Sequence, residues 1–132
     1  MHIDHIGVAV EDLEAAIKTY ETILNTPCGK REVVESEKVE TAFFQTGESK
    51  IELLGATEPD SVIAKYVAKK GQGLHHVAFE VEDIFAELDR LRGEGFTILN
   101  EQPKNGADNK LVAFVHPKNC ASVLVELCQS KK

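Results

Sequence analysis

Hydrophobic and polar side chains follow two different periods in succession near the start of the chain. In residues 5–10 every second position carries Ile or Val, which is the alternation expected of a β-strand. Glu11 and Asp12 come next and place acidic groups at the positive end of a predicted helix. Apolar residues spaced three or four apart then form one stripe, which indicates an amphipathic helix. The stripe consists of Leu13, Ala16, Ile17, Tyr20, Ile23 and Leu24.

The chain continues with strands and a short helix, and the same order then returns. Strand-like stretches lie near 31–36, 39–46 and 49–55. A short helix near 61–69, followed by Gly71, links the first half to the second. The second half predicts a strand at 74–81, a helix at 83–92, a loop at 103–109, and strands near 96–99, 111–116 and 122–128. The predicted order is therefore βαβββ, repeated once.

An internal repeat supports this organisation. Residues 5–13, shifted by 71 positions, fall on residues 76–84, and four of the nine pairs are identical. Residues 51–53 (Ile-Glu-Leu) likewise resemble residues 125–127 (Val-Glu-Leu). Each half therefore carries a histidine near its first strand and a glutamate near its last.

The size of the modules predicts that they share one core. Each is about sixty residues long, close to the size below which a lone hydrophobic core is marginal. We expect a single α+β domain over residues 1–132, with modules at about 1–58 and 73–130 and a linker helix at about 60–70.

Four polar side chains occupy matched positions of the repeat. Strand alternation places His5, Glu52, His76 and Glu126 away from the apolar residues that pack under the helices. Packing of the modules with approximate two-fold symmetry would bring the four together. Two imidazoles and two carboxylates suit a divalent transition metal, and a carboxylate in an apolar strand is costly unless it is paired or metal-bound. Taken singly, each also has an ordinary explanation, as a satisfied core histidine or a water-facing glutamate.

Composition narrows the classes of function. The 132 residues include 15 basic and 22 acidic side chains, and the net charge of −7 argues against non-specific binding to nucleic acid or an anionic membrane. No apolar run approaches the ~18 residues that span a bilayer, and no secretory signal is visible at the start. Three cysteines (Cys28, Cys120 and Cys128) are an odd number, so we expect a reducing, cytoplasmic compartment.

Several short segments resemble a known family. They are residues 3–10 (IDHIGVAV), 73–79 (GLHHVAF), 116–118 (HPK) and 123–127 (VLVEL). In this order they resemble the vicinal-oxygen-chelate superfamily, and within it the methylmalonyl-CoA epimerase family, over essentially the whole chain. Residues 60–66 (DSVIAKY) are also similar to that family.

This resemblance implies a fold, a cofactor and partners. The modules would form one eight-stranded, open, barrel-like sheet around a metal cleft. The cleft would hold one divalent ion, Co²⁺ in the first place, with Mn²⁺, Ni²⁺ or Zn²⁺ as alternatives. The ligands would be His5, Glu52, His76 and Glu126, and His76 is preferred to His75 because it matches His5 in the repeat. The substrate would be an acyl-CoA, the protein a cytoplasmic homodimer of propionate metabolism, and neither nucleic acid nor a membrane would be a partner.

The implied reaction is epimerisation of methylmalonyl-CoA, by proton removal and return α to the thioester through an enolate. Inversion needs two acid/base groups. By resemblance Glu126 is the first, and by symmetry Glu52 is the second. Thr41 stands where some family members carry a separate glutamate base, so Glu40 beside it is kept as the fallback. Lys104, Lys110 and Lys118 are candidates for offsetting the phosphates of coenzyme A.

Two other functions stay open at this point. The four ligands are also similar to those of lactoylglutathione lyase, which acts on a glutathione hemithioacetal. A metal-free protein of the same fold that binds a small ligand is the second alternative, although the presence of all four ligand-type residues argues against it.

Overall fold

The architecture is known from a computed structural model, which describes residues 1–131. These residues form three α-helices and eight β-strands in the predicted order. The helices are α1 (Leu13–Leu24), α2 (Val62–Lys70) and α3 (Ile84–Gly93). The strands are β1 (His2–Val10), β2 (Arg31–Val34), β3 (Val39–Thr46), β4 (Ser49–Ala56), β5 (Gly73–Glu80), β6 (Lys104–Gly106), β7 (Lys110–Val115) and β8 (Val125–Ser130). The predicted α+β class with an eight-stranded sheet is confirmed.

Hydrogen bonds order the strands β2-β3-β4-β1-β5-β8-β7-β6. The β5–β8 pair is parallel, and the β2–β3, β3–β4, β6–β7 and β7–β8 pairs are antiparallel. Two compact units are distinguished: one comprises residues 6–75, and the other comprises residues 1–5 with residues 76–131. The single domain and its module boundaries stay predictions, and the two units are described separately.

In unit 6–75, α1 covers one face of the strands. Its buried residue Ile17 packs with side chains of β1, β3 and β4, which are Val8, Val10, Ala42, Phe44 and Leu53. Close approach is possible because Gly55 has no side chain, since a Cβ there would lie 3.0 Å from Leu13 Cβ. The Asp12 side chain accepts from Ala15 N and begins the helix, and Asn25 ends it in a left-handed conformation, with φ of 50°.

The same unit contains α2, which packs on a second cluster. Ile63 of α2 lies with Ala9, Val39 and Leu54. Ser61 begins this helix by accepting from Ala64 N. The predicted helix near 61–69 is therefore confirmed within one residue at each end.

In the other unit, α3 covers one face of β5, β7 and β8. Ile84 and Leu88 pack with Val81, Ala113 and Leu127. Asp83 caps α3 by accepting from Ala86 N, as Asp12 caps α1. The internal repeat of residues 5–13 and 76–84 thus corresponds to a strand followed by a helix that an aspartate caps.

One strand prediction and one loop prediction in the second half were wrong. The stretch 96–99 makes only an isolated bridge between Ile98 and Val115. Two backbone hydrogen bonds make this bridge, from Leu99 N to Phe114 O and from His116 N to Thr97 O. The ladder does not extend beyond it, and side-chain amides accept from the next backbone groups, Asn119 from Thr97 N and Asn100 from Phe114 N. A short strand, β6, instead lies at Lys104–Gly106, inside the loop predicted at 103–109.

The last strand also begins later than predicted. It runs over Val125–Ser130 rather than 122–128. A 3₁₀ turn at Pro117–Asn119 precedes it, and Ala121 and Ser122 have φ of 55° and 70°. A left-handed backbone cannot continue a strand, so pairing starts only after these residues.

Candidate metal centre

Three of the four predicted ligands lie together in the unit that contains residues 1–5 and 76–131. His5, His76 and Glu126 are buried, with 6%, 5% and 5% of their surface exposed. The two Nε2 atoms of His5 and His76 are 3.1 Å apart. Glu126 Oε1 lies 3.2 Å from His76 Nε2 and 3.7 Å from His5 Nε2. Their donor atoms therefore converge on one small volume.

Strand register explains how His76 and Glu126 meet. In the parallel β5–β8 pair, Ala78 lies opposite Glu126, and His76 precedes Ala78 by two residues on the same face. Ala78 is small and fully buried, so it leaves room beside the carboxylate. The Phe114 ring packs edge-on against His76, with centroids 5.9 Å apart, and limits the movement of the imidazole.

Electrostatics hold Glu126 ionised. Burial by itself would raise the pKa of this carboxyl, but hydrogen bonds and charge from His5 and His76 outweigh it and lower the pKa to about 2. An anionic oxygen beside two imidazoles is the donor combination that divalent transition metals accept.

The distances fit a shared cation. Two donors bound to one ion at about 2.1 Å lie ~3.0 Å apart when their bonds meet at a right angle, and ~3.4 Å apart in a tetrahedron. The separations of 3.1 and 3.2 Å fall within that range. The His5–Glu126 separation of 3.7 Å would need only a small inward movement. The residues present therefore suit a divalent ion.

Glu52, the fourth predicted ligand, belongs to the unit 6–75. It is buried in β4, directly opposite Phe43 of β3. Its neighbours Ile51 and Leu53 pack in the cluster under α1, so the Glu52 side chain points to the other face of the sheet, as predicted from strand alternation. Its roles as ligand and base stay predictions.

The two residues considered for the family's separate base have different surroundings. Thr41 is fully buried, shares the face of Phe43, and its hydroxyl donates to Glu32 O. Glu40 points to the opposite face, where Arg31 Nε donates to its carboxylate over 2.9 Å. This ion pair ties the Glu40 side chain to a surface cation.

The remaining residues singled out from the sequence have local partners. The His75 ring packs edge-on against Tyr66, with centroids 4.8 Å apart. His116 begins the 3₁₀ turn by accepting at Nδ1 from Lys118 N, which gives the His-Pro-Lys segment a structural use. Burial raises the pKa of the thiols of Cys28, Cys120 and Cys128, so the three remain protonated. No helix among residues 1–131 is both long enough and apolar enough to cross a membrane.

The three lysines considered for coenzyme A differ in environment. Lys104 and Lys118 are exposed. Lys110 is buried, and its ammonium lies 2.8 Å from Glu80 Oε1 and 3.4 Å from Asp4 Oδ1. Because carboxylates of the chain already surround it, Lys110 is not placed as a phosphate-binding residue.

Sequence reasoning missed a buried network next to His5. Asp4 Oδ2 lies 2.7 Å from His5 Nδ1, and Asp4 also pairs with Lys110. Strand alternation puts adjacent residues on opposite faces, so the pattern gave no reason to join Asp4 to His5. A charged residue opening an otherwise apolar strand, as Lys110 opens β7, was the one available signal.

Comparisons with known proteins give a consistent picture. A model of the Glyoxalase/Bleomycin resistance protein/Dioxygenase superfamily matches residues 4–114. The chain is 40% identical over 129 residues to the ethylmalonyl-CoA/methylmalonyl-CoA epimerase of Cereibacter sphaeroides, with 96% of each covered. It is 39% identical over 129 residues to the mitochondrial methylmalonyl-CoA epimerase of Bos taurus, with 97% of this chain and 74% of that protein covered.

Solved structures agree with the sequence comparison. A variant of the Streptomyces coelicolor methylmalonyl-CoA epimerase, in complex with 2-nitronate-propionyl-CoA, superposes with a TM-score of 0.94 at 35% identity. The match covers 98% of this chain and 94% of that chain.

Proposed function

The chain belongs to the glyoxalase/bleomycin resistance/dioxygenase superfamily, and on this premise we propose that it catalyses the epimerisation of methylmalonyl-CoA. The observation that carries the proposal is the buried convergence of His5, His76 and Glu126 in a chain that is similar to such epimerases over nearly its full length. The reaction removes the proton α to the thioester carbonyl and returns it on the opposite face.

We propose that His5, His76 and Glu126 hold a divalent metal, with Glu52 as the fourth ligand. A bound divalent cation supplies a Lewis acid that stabilises negative charge developing on the thioester oxygen. The position of Glu52 in the repeat, matched to Glu126, and its burial support its inclusion. Co²⁺ is the ion we propose first, and imidazole–carboxylate sites of this kind also accept Mn²⁺, Ni²⁺ and Zn²⁺.

We propose that Glu126 and Glu52 also move the proton. Inversion requires one group to take the α-proton and another to supply a proton from the other face. Glu126 is ionised and lies beside both imidazoles, so an unprotonated carboxylate oxygen is present at the centre to accept the proton. Glu40 is less suited to be the second group, since its carboxylate is engaged by Arg31 on the face that α1 covers.

Two further features complete the proposal. The protein carries a net negative charge, which repels the phosphates of an acyl-CoA, so binding requires local positive charge. The exposed Lys104 and Lys118 are the candidates to supply it. A homodimer is proposed on the family resemblance. A reducing, cytoplasmic compartment is proposed on the three free thiols.

The alternatives have less support. A relative named ethylmalonyl-CoA/methylmalonyl-CoA epimerase is 40% identical with 96% of each chain covered, and this favours the epimerase over a glutathione-dependent lyase. Three buried donors directed at one volume, with Glu126 held as an anion, are unexpected in a metal-free binding protein.

Proton exchange on the substrate tests the proposal. The purified protein is loaded with Co²⁺, and the loss of the α-proton from each methylmalonyl-CoA epimer in deuterated water is followed by NMR. We expect exchange that a chelator abolishes, and exchange slowed at least ~100-fold by Glu126→Gln and by Glu52→Gln, because each removes an acid/base group. A parallel assay with a glutathione hemithioacetal should show no turnover.

Glu40→Gln is the matched control. It removes a carboxylate from the neighbouring strand, and we expect exchange close to the wild-type rate. Wild-type exchange in Glu126→Gln from both epimers would reject the role of Glu126. If Glu40→Gln slows exchange as much as Glu52→Gln does, Glu40 would have to be assigned as the second acid/base group.

A further inference from the structure

His5 meets Asp4 with one ring nitrogen and the candidate metal centre with the other. Nδ1 lies 2.7 Å from Asp4 Oδ2, while Nε2 faces His76 and Glu126. A carboxylate can only accept hydrogen bonds, so Nδ1 carries a proton, and in the neutral form of the ring the lone pair therefore lies on Nε2. We propose that Asp4 is a positioning residue that fixes this tautomer and the orientation of the ring. The inference rests on the metal-binding role proposed above for His5.

Asp4 is itself held from its other side. Its Oδ1 pairs with the Lys110 ammonium at 3.4 Å, and both side chains are buried. Lys110 is in turn fixed by Glu80 Oε1 and Ser130 Oγ, each 2.8 Å from Nζ, and Ser130 donates to Glu80 over 2.5 Å. One carboxylate oxygen is therefore directed at Lys110 and the other at His5, which leaves Asp4 a single orientation.

The same cluster is not a second metal site. Ligand-type atoms of His2, Asp4 and Glu80 lie within 4.8 Å of one another. The Lys110 ammonium already contacts two of these residues, Asp4 and Glu80. A protein cation thus occupies the place that a metal would take, and the cluster serves as a support for the neighbouring histidine.

The chemical consequence concerns the lone pair on His5 Nε2. A metal ligand needs this nitrogen unprotonated and directed at the ion. Without an acceptor at Nδ1, an imidazole can move its proton to Nε2 or rotate, and both changes compete with metal binding. A carboxylate that accepts from the second nitrogen of a ligating histidine typically raises metal affinity ~10–100-fold.

Three substitutions separate the hydrogen bond that orients the His5 ring from the negative charge of the network. Asp4→Ala removes the acceptor, whereas Asp4→Asn keeps an oxygen that can accept the same hydrogen bond. Glu80→Gln removes an equal charge from the same network without touching the His5 ring. Two quantities are measured: the affinity for Co²⁺, from titration with cobalt chloride against a chromophoric chelator, and the His5 ring-nitrogen chemical shifts of the metal-free protein.

We expect the wild-type metal-free protein to carry its His5 proton on Nδ1. In Asp4→Ala the shifts should move toward the other tautomer, and the Kd for Co²⁺ should rise ~10–100-fold. Asp4→Asn should recover part of that loss, and Glu80→Gln should weaken binding less than Asp4→Ala. Thermal melting with EDTA reports the folded fraction of each variant. If Asp4→Ala does not fold, the wild-type tautomer and Asp4→Asn still decide the question.

Three results would overturn the inference. One is a wild-type His5 protonated on Nε2, the second is a Co²⁺ affinity in a folded Asp4 variant within ~2-fold of wild type, and the third is equal damage from Glu80→Gln and Asp4→Ala. None of these depends on turnover. A protein with the expected tautomer and affinities but no α-proton exchange would instead refute the proposed function and leave the positioning role standing.

Discussion

At the scale of single residues, the unusual feature is a set of ionisable side chains with little access to water. Asp4, His5, His76, Lys110 and Glu126 are each less than one-tenth exposed. A charge taken out of water is costly unless a partner compensates it, and here each has one at short range. Such placement conflicts with the apolar pattern of the strands around it, and conflicts of this kind are typical of functional sites.

Lys110→Met is the sharpest stability test at this scale. The substitution keeps an unbranched side chain, one atom shorter, but leaves the Asp4 and Glu80 carboxylates without their shared ammonium. We expect the free energy of unfolding to fall by about 3 kcal/mol, because breaking a buried ion pair leaves the remaining charge buried without compensation. Urea denaturation at pH 7 measures the change. Lys118→Met, at an exposed lysine, should stay near wild type, and equal stability of both variants would contradict the buried network.

At the scale of elements, each α-helix begins with the same device. Asp12, Ser61 and Asp83 accept a hydrogen bond from the backbone N–H three residues later. Asp12 and Asp83 also occupy equivalent positions of the internal repeat. The repeat therefore preserves the point at which the strand ends and the helix begins.

Asp83→Ala tests the value of one such cap. It removes the acceptor for Ala86 N, and we expect α3 and the protein to lose about 1 kcal/mol of stability. The matched control is Glu82→Ala, at the exposed neighbour that caps nothing in the described chain. Thermal and urea unfolding of both variants should separate them. A loss as large in Glu82→Ala would indicate that helix charge, rather than the cap, is responsible.

At the scale of the whole molecule, carboxyl groups whose pKa is lowered in the folded state make stability depend on pH. Hydrogen bonds from Lys110 and Ser130 hold the pKa of Glu80 below its ordinary 4.5. Arg31 and Lys38 similarly lower the pKa of Glu14 and Asp60 at the surface. A carboxyl with a lowered folded-state pKa stabilises the fold above its unfolded pKa, and that stability is lost as pH falls through the folded pKa.

We expect acid to expose the contribution of Glu80. Above its ordinary value of 4.5, wild type should be more stable than Glu80→Gln, and the difference should shrink as pH falls below that value. Unfolding free energies at a series of pH values measure this, with Glu82→Gln as the control for an exposed carboxylate. Parallel pH curves for wild type and Glu80→Gln would rule out a lowered pKa at Glu80.

The features that could be predicted from the sequence are those set by residues close together in the chain. Helix starts, the βαβββ order and the orientation of Glu52 were all foreseen, because capping and strand alternation act within a few residues. The stretch 96–99 forms only one bridge, because Asn100 and Asn119 accept from the backbone N–H groups beside it, and a periodic pattern does not show such side-chain partners. Lys110 was considered only as a candidate for the phosphates of coenzyme A, because its partners Asp4 and Glu80 are distant in sequence and the pattern did not show the ion pairs.

The sequence by itself determined the element order, the repeat and the residue types that could bind a metal, because periodicity and self-similarity are properties of the linear chain. Only the tertiary structure decided that His5, His76 and Glu126 converge. It also decided that Asp4 contacts His5 Nδ1 and that Lys110 pairs with Asp4. Apart from the Asp4–His5 pair, these contacts join residues far apart in the chain, and strand register and packing set the distances between them.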